Sequence, residues 1–333
     1  MVDQATKDDA FIFDCVLHAI DHSNENLLTE VRGATRSRDI SRGSLRKRGD
    51  ALLPDKAWTS EDLYRVEFEN TTVDMAMTQT IPLFDWYRLG LSPVEANYRF
   101  AAAHPERVVF CGGVDPSYHG GKVLDEMTRQ VEEWGAKAFK FYNAHRDGRT
   151  WRCDDEKVAY PMYEHAAKLG ITLMQFHKGF ALGTNNIEDL RPNDLQRAAL
   201  DFPDMQFVIY HLALPYFEEC VSIAARFENV YLALAGNVAF SLTQPRPFQK
   251  HMGELLRSVG SERIFFGSEA PLQGSPQPWI DLLWDFQIPD DLMANYGYPQ
   301  ITDQDKRNIL GENFARVLGI DVGDARENLR RAG

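Results

Sequence analysis

The stretch KLGITLMQFH (168–177) contains the repeating unit of this sequence. Gly170 suits the left-handed position after a helix end, and the apolar run that follows it leads to His177. Outward from this stretch, similar apolar runs alternate with segments of helical period along the chain. Such alternation is typical of parallel strands that are connected by crossover helices.

Eight apolar runs qualify as strands on this pattern. They are FIFDCVLH (11–18), TVDMAMTQ (72–79), RVVFCGGV (107–114), AKAFKFY (136–142), ITLMQFH (171–177), MQFVIYH (205–211), VYLALAG (230–236) and RIFFGSE (263–269). Barrels of eight strand–helix units commonly reach about 250 residues or more as one domain. The 333 residues are therefore predicted to form a single α/β domain (1–333), a (β/α)₈ or TIM barrel.

Helix-end signals agree with this division of the chain. SPVE (92–95) predicts a capped helix start, and Gly135 fits a helix end. TDQD (302–305) predicts a capping box that opens the last helix, QDKRNILGENFARVLG (304–319). Because the apolar residues of that helix recur at helical spacing, we expect it to pack on the outside of the barrel.

Acidic residues outnumber basic ones by 49 to 36, which gives a formal net charge of -13 and a pI of about 5.2. This charge repels polyanions, so we expect neither nucleic acid nor a membrane as a partner. The polar start of the chain and the lack of an apolar run near the roughly 20 residues of a membrane span predict a cytoplasmic protein. Four cysteines without a CxxC pair predict reduced thiols. Small molecules are the expected partners, and a homo-oligomer is compatible with the sequence.

Two segments exceed a minimal barrel, and each follows the carboxyl end of a strand, where barrel enzymes place active-site loops. The first, at about 23–58, has seven basic residues and one acid in a short stretch: Arg32, Arg36, Arg38, Asp39, Arg42, Arg46, Lys47 and Arg48. It is either a solvated surface or a lid that attracts an anionic substrate. The second, at about 270–300, contains Trp279, Trp284 and Phe286. These rings either cover an aryl substrate or pack between helices.

Polar residues end four of the predicted strands: His18, His177, His211 and Glu269. The carboxyl ends of barrel strands converge on one mouth, so these side chains are expected to surround one point. Two imidazoles and a carboxylate suit Zn²⁺, Mn²⁺ or Fe²⁺ and leave a position open for water or substrate. A single histidine at a strand end is more often a structural residue, but four such ends together favour a metal site.

Four segments in this order and spacing resemble the amidohydrolase superfamily, in particular its branch of amino-carboxymuconate-semialdehyde decarboxylase and relatives. They are DCVLH (14–18), HPERVVFCGGVDP (104–116), GSEAP (267–271) and ILGENFARVLGI (309–320). The resemblance implies a distorted barrel of amidohydrolase type that holds one divalent metal, Zn²⁺ first, with Mn²⁺ or Fe²⁺ as alternatives.

The same resemblance assigns roles to the strand-end residues. It implies that His18, His177 and Glu269 bind the metal, and that His211 acts in the chemistry together with Glu269. Val16 stands where the branch usually has a first histidine, so one ligand is missing. The gap could mean a dead site, weakened metal binding, or a shifted geometry completed by another side chain such as Asp14 or His22. We expect a live three-ligand site, with Asp14 buried and structural and His22 exposed in its loop.

An aromatic-derived carboxylic acid is the substrate class that the resemblance implies. Candidates to bind it are Lys140, Tyr142, Asn143, His145 and Arg146 on and after the fourth strand, with Arg42 and Trp279 from the two insertions. A lysine at a strand end faces solvent about as often as it binds a ligand, so Lys140 has both interpretations.

The glutamate on the eighth strand, the long basic insertion and the altered first strand are most similar to family members that hydrolyse a carbon–carbon bond. Their substrates are ring-opened meta-cleavage products, as in the catabolism of lignin-derived biphenyls. Metal-bound hydroxide is then expected to attack a ketone, releasing a benzoate-type product and a dienoate. The alternatives are non-oxidative decarboxylation of an aromatic or muconate-type acid, hydration of an unsaturated dicarboxylate, and a catalytically silent barrel that binds an aromatic acid.

Overall fold

The computed structural model of the chain describes residues 9–43, 52–146, 149–182 and 185–332. Eight parallel strands, β1 to β8, follow one another in the sheet in chain order. They span Phe13–Leu17, Met75–Gln79, Val108–Gly113, Ala138–Phe141, Leu173–Phe176, Gln206–Tyr210, Val230–Ala233 and Ile264–Phe265. All eight predicted strands are confirmed, and each is shorter than its apolar run.

Backbone hydrogen bonds between the first and last strands close the sheet into a barrel. Cys15 N donates to Phe266 O at 3.1 Å, and His18 N donates to Ala270 O at 2.9 Å. The chain after Ile264–Phe265 therefore continues alongside β1, although only these two residues form regular strand. The predicted TIM barrel is confirmed.

Fifteen α-helices lie in the described part of the chain. They are α1 Ala34–Arg42, α2 Ser60–Phe68, α3 Val94–Ala103, α4 Pro116–His119, α5 Val123–Glu132, α6 Ala159–Lys168, α7 Leu195–Asp201, α8 Phe217–Ala224, α9 Phe240–Thr243, α10 Pro245–Ser258, α11 Gln277–Trp284, α12 Asp290–Tyr296, α13 Asp303–Arg307, α14 Asn313–Val317 and α15 Val322–Ala332. None of the helices within those described ranges is both long and apolar enough to cross a membrane.

Alternation of side chains along the strands separates two apolar layers. Cys15, Met77 and Val208 belong to the cluster inside the barrel, whereas Ala76 and Phe207 belong to the cluster between barrel and helices. Both faces of the strands are thus covered, which explains why the strands are apolar throughout. All four cysteines are buried free thiols, as predicted.

Three predicted helix-end signals are present: Gly135 with a φ of 70°, Gly170 with a φ of 77°, and the capping box of Thr302 with Asp305. The capping prediction for SPVE (92–95) is wrong, because α3 begins after Pro93 without a side-chain cap. The Ser92 hydroxyl instead donates to Gln79 O at 3.0 Å. That bond joins the segment before α3 to the end of β2.

A π-helical turn, Asn308–Glu312, interrupts the last predicted helix between α13 and α14. A Cβ atom on Gly311 of this turn would lie 2.1 Å from Phe11 O and 2.7 Å from Phe13 N. Phe314 joins the cluster inside the barrel, and its ring centroid lies 5.0 Å from that of Phe13. The segment therefore packs against the chain at the start of β1, and Phe314 reaches the barrel interior. This differs from the expectation that the helix packs on the outside of the barrel.

The described parts of the first insertion, 23–43 and 52–58, pack over the mouth of the barrel. Leu27, Ala34 and Leu53 from it form one apolar cluster with Tyr142 and Leu272, and we call this the mouth cluster. Tyr142 directly follows β4, so the insertion covers residues at the carboxyl ends of the strands. This position agrees with the predicted location of the segment, and its action as a lid stays a prediction.

The basic residues of this insertion have different surroundings. Arg32 and Arg36 are exposed, and Arg38 and Arg42 both lie within 4 Å of Asp55. The remaining three, Arg46, Lys47 and Arg48, lie outside the described residues.

The second insertion (270–300) contributes α11 and α12 to the outer layer. Trp279, Ile280, Leu283 and Leu292 are buried in the cluster between barrel and helices. Leu272 belongs instead to the mouth cluster. Most of this segment therefore packs in the outer layer. This agrees with the interpretation that its aromatic residues pack between helices.

Candidate metal and substrate site

The four polar residues that end predicted strands meet at the mouth of the barrel. His18 Nε2 lies 3.4 Å from Glu269 Oε2, and His211 Nε2 lies 3.9 Å from Glu269 Oε1. His177 Nδ1 lies 3.0 Å from His211 Nε2. All four side chains are buried. Residues separated by up to 251 positions in the sequence are thus neighbours because parallel strands end at the same rim.

Each imidazole is held through the ring nitrogen that points away from the centre of this cluster. The pairs are His18 Nδ1 with Gln79 O, His177 Nε2 with Phe180 O, and His211 Nδ1 with Ala235 O, each at 2.8 Å. A carbonyl oxygen only accepts, so these three nitrogens carry the hydrogen. In the neutral rings the other three nitrogens, which point inward, therefore present lone pairs.

Those lone pairs face other acceptors. His177 Nδ1 and His211 Nε2 are 3.0 Å apart, and in the neutral rings neither has a hydrogen to donate. His18 Nε2 has no hydrogen-bond partner among the described residues, and its near neighbour is the carboxylate of Glu269. Converging lone pairs repel one another unless a cation lies between them. The outward bonds to carbonyl oxygens are also the arrangement that orients histidine ligands of metals.

This donor set fits a divalent metal in its chemistry. Nitrogen ligands at about 2.0–2.1 Å from a tetrahedral zinc are separated by about 3.3 Å, close to the 3.0 Å and 3.4 Å of two contacts in the cluster. Within the described ranges, no three His, Cys, Asp or Glu side chains form a ready metal cage. Binding would therefore require the direct contact between His177 and His211 to open.

Within the described part of the chain, neither Asp14 nor His22 joins a group of three possible metal ligands. Val16 is buried, and a Cβ atom on Gly267 would lie 2.5 Å from its side chain. Asp14 Oδ1 accepts from the backbone N–H of Val16 and of Ser268, so Asp14 is buried and structural as expected. The expectation that His22 is exposed is wrong, because its ring is buried and lies 2.5 Å from Ser41 Oγ of α1.

The electrostatics of the cluster keep His177 and His211 neutral and Glu269 charged. Burial lowers the pKa of His211 to about 4 and moves that of His177 well below its usual value. Burial alone would raise the pKa of Glu269, but His211, His18 and Lys140 lower it to about 2. Deprotonated ligands of this kind are required for metal binding.

Two of these residues also have an unusual backbone. The φ angles of His211 and Glu269 are 58° and 63°, in the left-handed region that residues other than glycine seldom adopt. Such conformations concentrate at functional sites, where the surrounding structure maintains them. Here the backbone aims both side chains inward at the rim.

Lys140 and Tyr142 lie beside the histidines. Lys140 is buried inside the barrel, with Nζ 2.9 Å from the centroid of the Tyr210 ring, so it does not face solvent. Burial lowers its pKa to about 7. The Tyr142 ring stacks on His177, with centroids 4.4 Å apart. Both residues are therefore next to any ligand that the cluster holds.

A polar layer inside the barrel was missed by sequence reasoning. Gln79 Nε2 donates to Tyr210 Oη, and Tyr210 Oη donates to Gln175 Oε1, each at 2.5 Å. Gln79 also donates to Cys15 O at 2.7 Å. Two glutamines within otherwise apolar strands were the available signal, because buried polar groups need partners.

The other predicted substrate residues are held elsewhere. Asn143 donates to Trp151 O at 2.7 Å and contacts Lys178 and Asp194, which occupies its side-chain amide. Arg42 Nε donates to Leu53 O within the first insertion. Arg146 is half-buried, and its backbone N–H donates to Asp85. Trp279 is buried on α11, and its Nε1 donates to Gln273 O. The structure does not gather these four around the histidines.

Two buried ionic groups support the loops around the mouth. Lys178 Nζ lies 2.8 Å and 2.9 Å from the two carboxylate oxygens of Asp194. His145, considered above as a carboxylate binder, instead lies 3.2 Å from both Asp85 and Asp115. It thus connects the segments that follow β2, β3 and β4, and its ring is already engaged with two carboxylates of the chain.

Comparisons with known proteins agree with this architecture. A family model described as Amidohydrolase matches residues 14–320. No curated protein sequence matches the chain significantly.

Solved structures are similar in fold at low sequence identity. An uncharacterized TIM-barrel protein from Bordetella bronchiseptica has a TM-score of 0.67 and 19% identity, covering 92% of this chain and 98% of its own. A 5-carboxyvanillate decarboxylase from Novosphingobium aromaticivorans, complexed with manganese and a nitrobenzoic acid, has a TM-score of 0.60 and 14% identity, covering 95% and 100%. The 4-oxalomesaconate hydratase from Rhodopseudomonas palustris has a TM-score of 0.55 and 14% identity, covering 97% and 98%. At these identities the likeness concerns the fold alone.

Proposed function

We propose that this chain, which belongs to the Amidohydrolase family, is a metal-dependent enzyme. Its proposed reaction is the decarboxylation of a small aromatic carboxylic acid, which requires no oxidant. One observation carries the proposal of a metal. Three buried imidazoles donate outward to backbone carbonyls, and their inward nitrogens converge with the carboxylate of Glu269. A proton-poor, buried donor set of this kind is suited to a divalent cation.

His18, His177 and Glu269 are the proposed ligands. A bound divalent cation would polarise a carboxylate and a neighbouring oxygen of the substrate as a Lewis acid. Zn²⁺, Mn²⁺ and Fe²⁺ all accept such ligands, and the decarboxylase compared above is described with manganese. The metal's identity is therefore a question for the experiment below.

The chain's own residues would orient the acid and transfer the proton. Burial of Lys140 and the stacking of Tyr142 on His177 place a cation and an aromatic face beside the cluster. Because Nδ1 of His211 is held by Ala235 O, Nε2 is the atom at which this ring can take or give a proton. Glu269 lies 3.9 Å from that atom, and its negative charge would stabilise the protonated ring.

Decarboxylation needs one proton and one bond cleavage. The proton adds to the ring carbon that carries the carboxylate, the bond to the carboxylate breaks, and CO₂ leaves while the electron pair restores the aromatic ring. His211 Nε2 would first take this proton from solvent and then donate it to the ring carbon. The overall change exchanges CO₂ for hydrogen and requires no redox partner.

Carbon–carbon hydrolysis, the first expectation from the sequence, is the second candidate. A glutamate at position 269 and the basic insertion favour it, whereas the decarboxylase of similar fold favours the decarboxylation alternative. Hydration of an unsaturated acid has a similar precedent in the hydratase. These reactions share the proposed metal site and differ in the bond that is broken or formed.

Metal analysis tests the site. Stripped protein is incubated with Zn²⁺, Mn²⁺ or Fe²⁺ under anaerobic conditions, and bound metal is measured by mass spectrometry after gel filtration. About one equivalent is expected, with at least tenfold weaker binding in His177→Ala and Glu269→Gln. His165→Gln on α6, whose ring instead contacts Thr128, is the control. Equal metal content in all four proteins would refute the proposed ligands.

Product analysis in D₂O separates the reactions. Metal-loaded protein is incubated with a panel of hydroxybenzoates, with a ring-opened meta-cleavage product and with an unsaturated dicarboxylate. Decarboxylation predicts CO₂ and a product with one deuterium at the vacated ring carbon. Loss of the yellow colour without CO₂ would instead identify hydrolysis, and addition of water to the double bond would identify a hydratase. A metal-binding protein inactive on all three classes would favour the silent barrel.

A further inference from the structure

An open cavity of about 440 Å³ lies at the same end of the barrel as the histidines. Its walls come from the segments after β5, β6 and β7 and from the beginning of α10. Eight of its ten lining residues are apolar, and the two with polar side chains are Gln244 and His251. An apolar cavity of about 150 Å³ is sufficient for benzene. This cavity therefore has room for an aryl group.

Phe180 lies at the border of this cavity with the histidine cluster. It lines the cavity, and its ring centroid lies 5.1 Å from that of His211. Its carbonyl oxygen accepts from His177 Nε2 at 2.8 Å. On the cavity side its ring lies edge-on to Phe240, with centroids 5.6 Å apart. One residue thus touches both histidines and the apolar space.

The backbone fixes the position of Phe180. Its N–H donates to Leu214 O at 2.9 Å, and its φ is 21°. Gly179 before it has a φ of 65°, and a Cβ atom there would lie 2.2 Å from Leu214 O. The close approach of the segments after β5 and β6 therefore requires glycine at 179 and holds the ring at the border of the cavity.

We propose that this cavity is the subsite for the apolar, aryl end of the substrate, whose carboxylate lies at the histidine cluster, and that Phe180 is the positioning residue between the two. The assignment of the carboxylate end rests on the proposed function. A charged group against these walls would find polar side chains only at Gln244 and His251. The cavity thus selects aryl-extended monocarboxylates over compact acids with several carboxylates.

Direct binding tests the subsite without any turnover. Calorimetry on the metal-loaded protein compares benzoate, biphenyl-4-carboxylate and biphenyl-4,4′-dicarboxylate. The second phenyl ring of biphenyl-4-carboxylate is expected to improve the dissociation constant at least tenfold over benzoate. The distal carboxylate of the third probe is expected to remove that gain.

Two variants locate the effect in this cavity. Ala181→Trp fills the space, and Phe240→Ser makes its wall polar, so each should reduce the preference for the biphenyl acid to under threefold while benzoate binds within twofold of wild type. Leu242→Ser on the same short helix, at a side chain that is 55% exposed and outside the lining, is the matched control. A folded Ala181→Trp variant that keeps the tenfold preference would overturn the inference.

The binding test does not depend on which reaction the protein catalyses. Equal binding of benzoate and biphenyl-4-carboxylate by a protein that binds metal and releases CO₂ would refute the subsite alone. A clear biphenyl preference in a protein without metal or turnover would refute the proposed function and leave the apolar subsite in place.

Discussion

Replacement of Lys178 by methionine is expected to destabilise the protein by about 3–4 kcal/mol. Lys178 is fully buried directly after His177, and its ammonium contacts both carboxylate oxygens of Asp194 at 2.8 Å and 2.9 Å. Burial alone would lower the pKa of Lys178, but Asp194 raises it. Methionine keeps the unbranched apolar stem of the side chain and removes the ammonium group, which leaves Asp194 as an uncompensated buried anion.

The magnitude follows from the geometry. At an effective dielectric constant of about 20, two unit charges at this separation attract by about 6 kcal/mol, and desolvation of both groups offsets part of that value. Loss of one partner of a buried pair typically costs about 3–5 kcal/mol. Asp194 also accepts from Cys153 N at 3.0 Å and from Asn143 Nδ2 at 3.3 Å. These donors remain in the variant, so we expect the lower half of the range.

Urea unfolding followed by circular dichroism at pH 7.5 measures the effect. The double variant Lys178→Met with Asp194→Leu is the matched comparison, because it removes both charges and should lose less stability than Lys178→Met alone. A loss of less than about 1 kcal/mol of unfolding free energy in Lys178→Met would refute the reasoning, because a buried carboxylate without its partner destabilises a protein by more than that. A double variant less stable than the single one would show that packing, and not charge, accounts for the loss.

Two further predictions concern the loops and the base of the barrel. Burial alone would lower the pKa of His145, but Asp115 and Asp85 raise it to about 9. The protonated ring therefore contributes on the order of 3 kcal/mol to stability below about pH 6.5, and this contribution is lost as the pH rises through 9. The difference in urea stability between wild type and His145→Gln should shrink over that interval. A constant difference would contradict the pairing of His145 with the two aspartates. Gly311→Ala should yield mostly insoluble protein or lose several kcal/mol, because the new methyl group meets the backbone just before β1 at 2.1 Å and the first residue of β1 at 2.7 Å. Gly121→Ala, with no atom within 4 Å, should be neutral. A soluble Gly311→Ala variant of unchanged thermal midpoint would show that β1 can move.

The barrel and the gathering of its polar strand ends were predictable from residue order. An apolar run that ends in His18, His177 or His211 places that residue at the rim once the strands are parallel. Gly170 and the capping box at Thr302 were also visible, since both depend on neighbouring residues alone. Each of these features depends on residues that are close together in the sequence, and the structure contains all of them.

Side-chain partners were much less predictable. Asn143 was expected to bind substrate, yet its amide contacts a lysine and an aspartate that lie 35 and 51 residues away. His22 was expected to be exposed and is buried against α1. Trp279 was a candidate to cover the substrate and is buried in the outer layer. For Asn143 and His22, a residue at least 19 positions away in the sequence supplies the contact.

The sequence by itself determined the eight strands, the enclosing helices and the group of histidines with Glu269 at one end of the barrel, because the periods of apolar residues and the topology of parallel strands are sufficient for these. Only the tertiary structure decided which ring nitrogens face inward, since backbone carbonyls of Gln79, Phe180 and Ala235 select them. It also decided that the Val16 side chain packs against Gly267 and that an apolar cavity adjoins the site at Phe180. Such arrangements arise from contacts between loops after different strands, and no period in the chain records them.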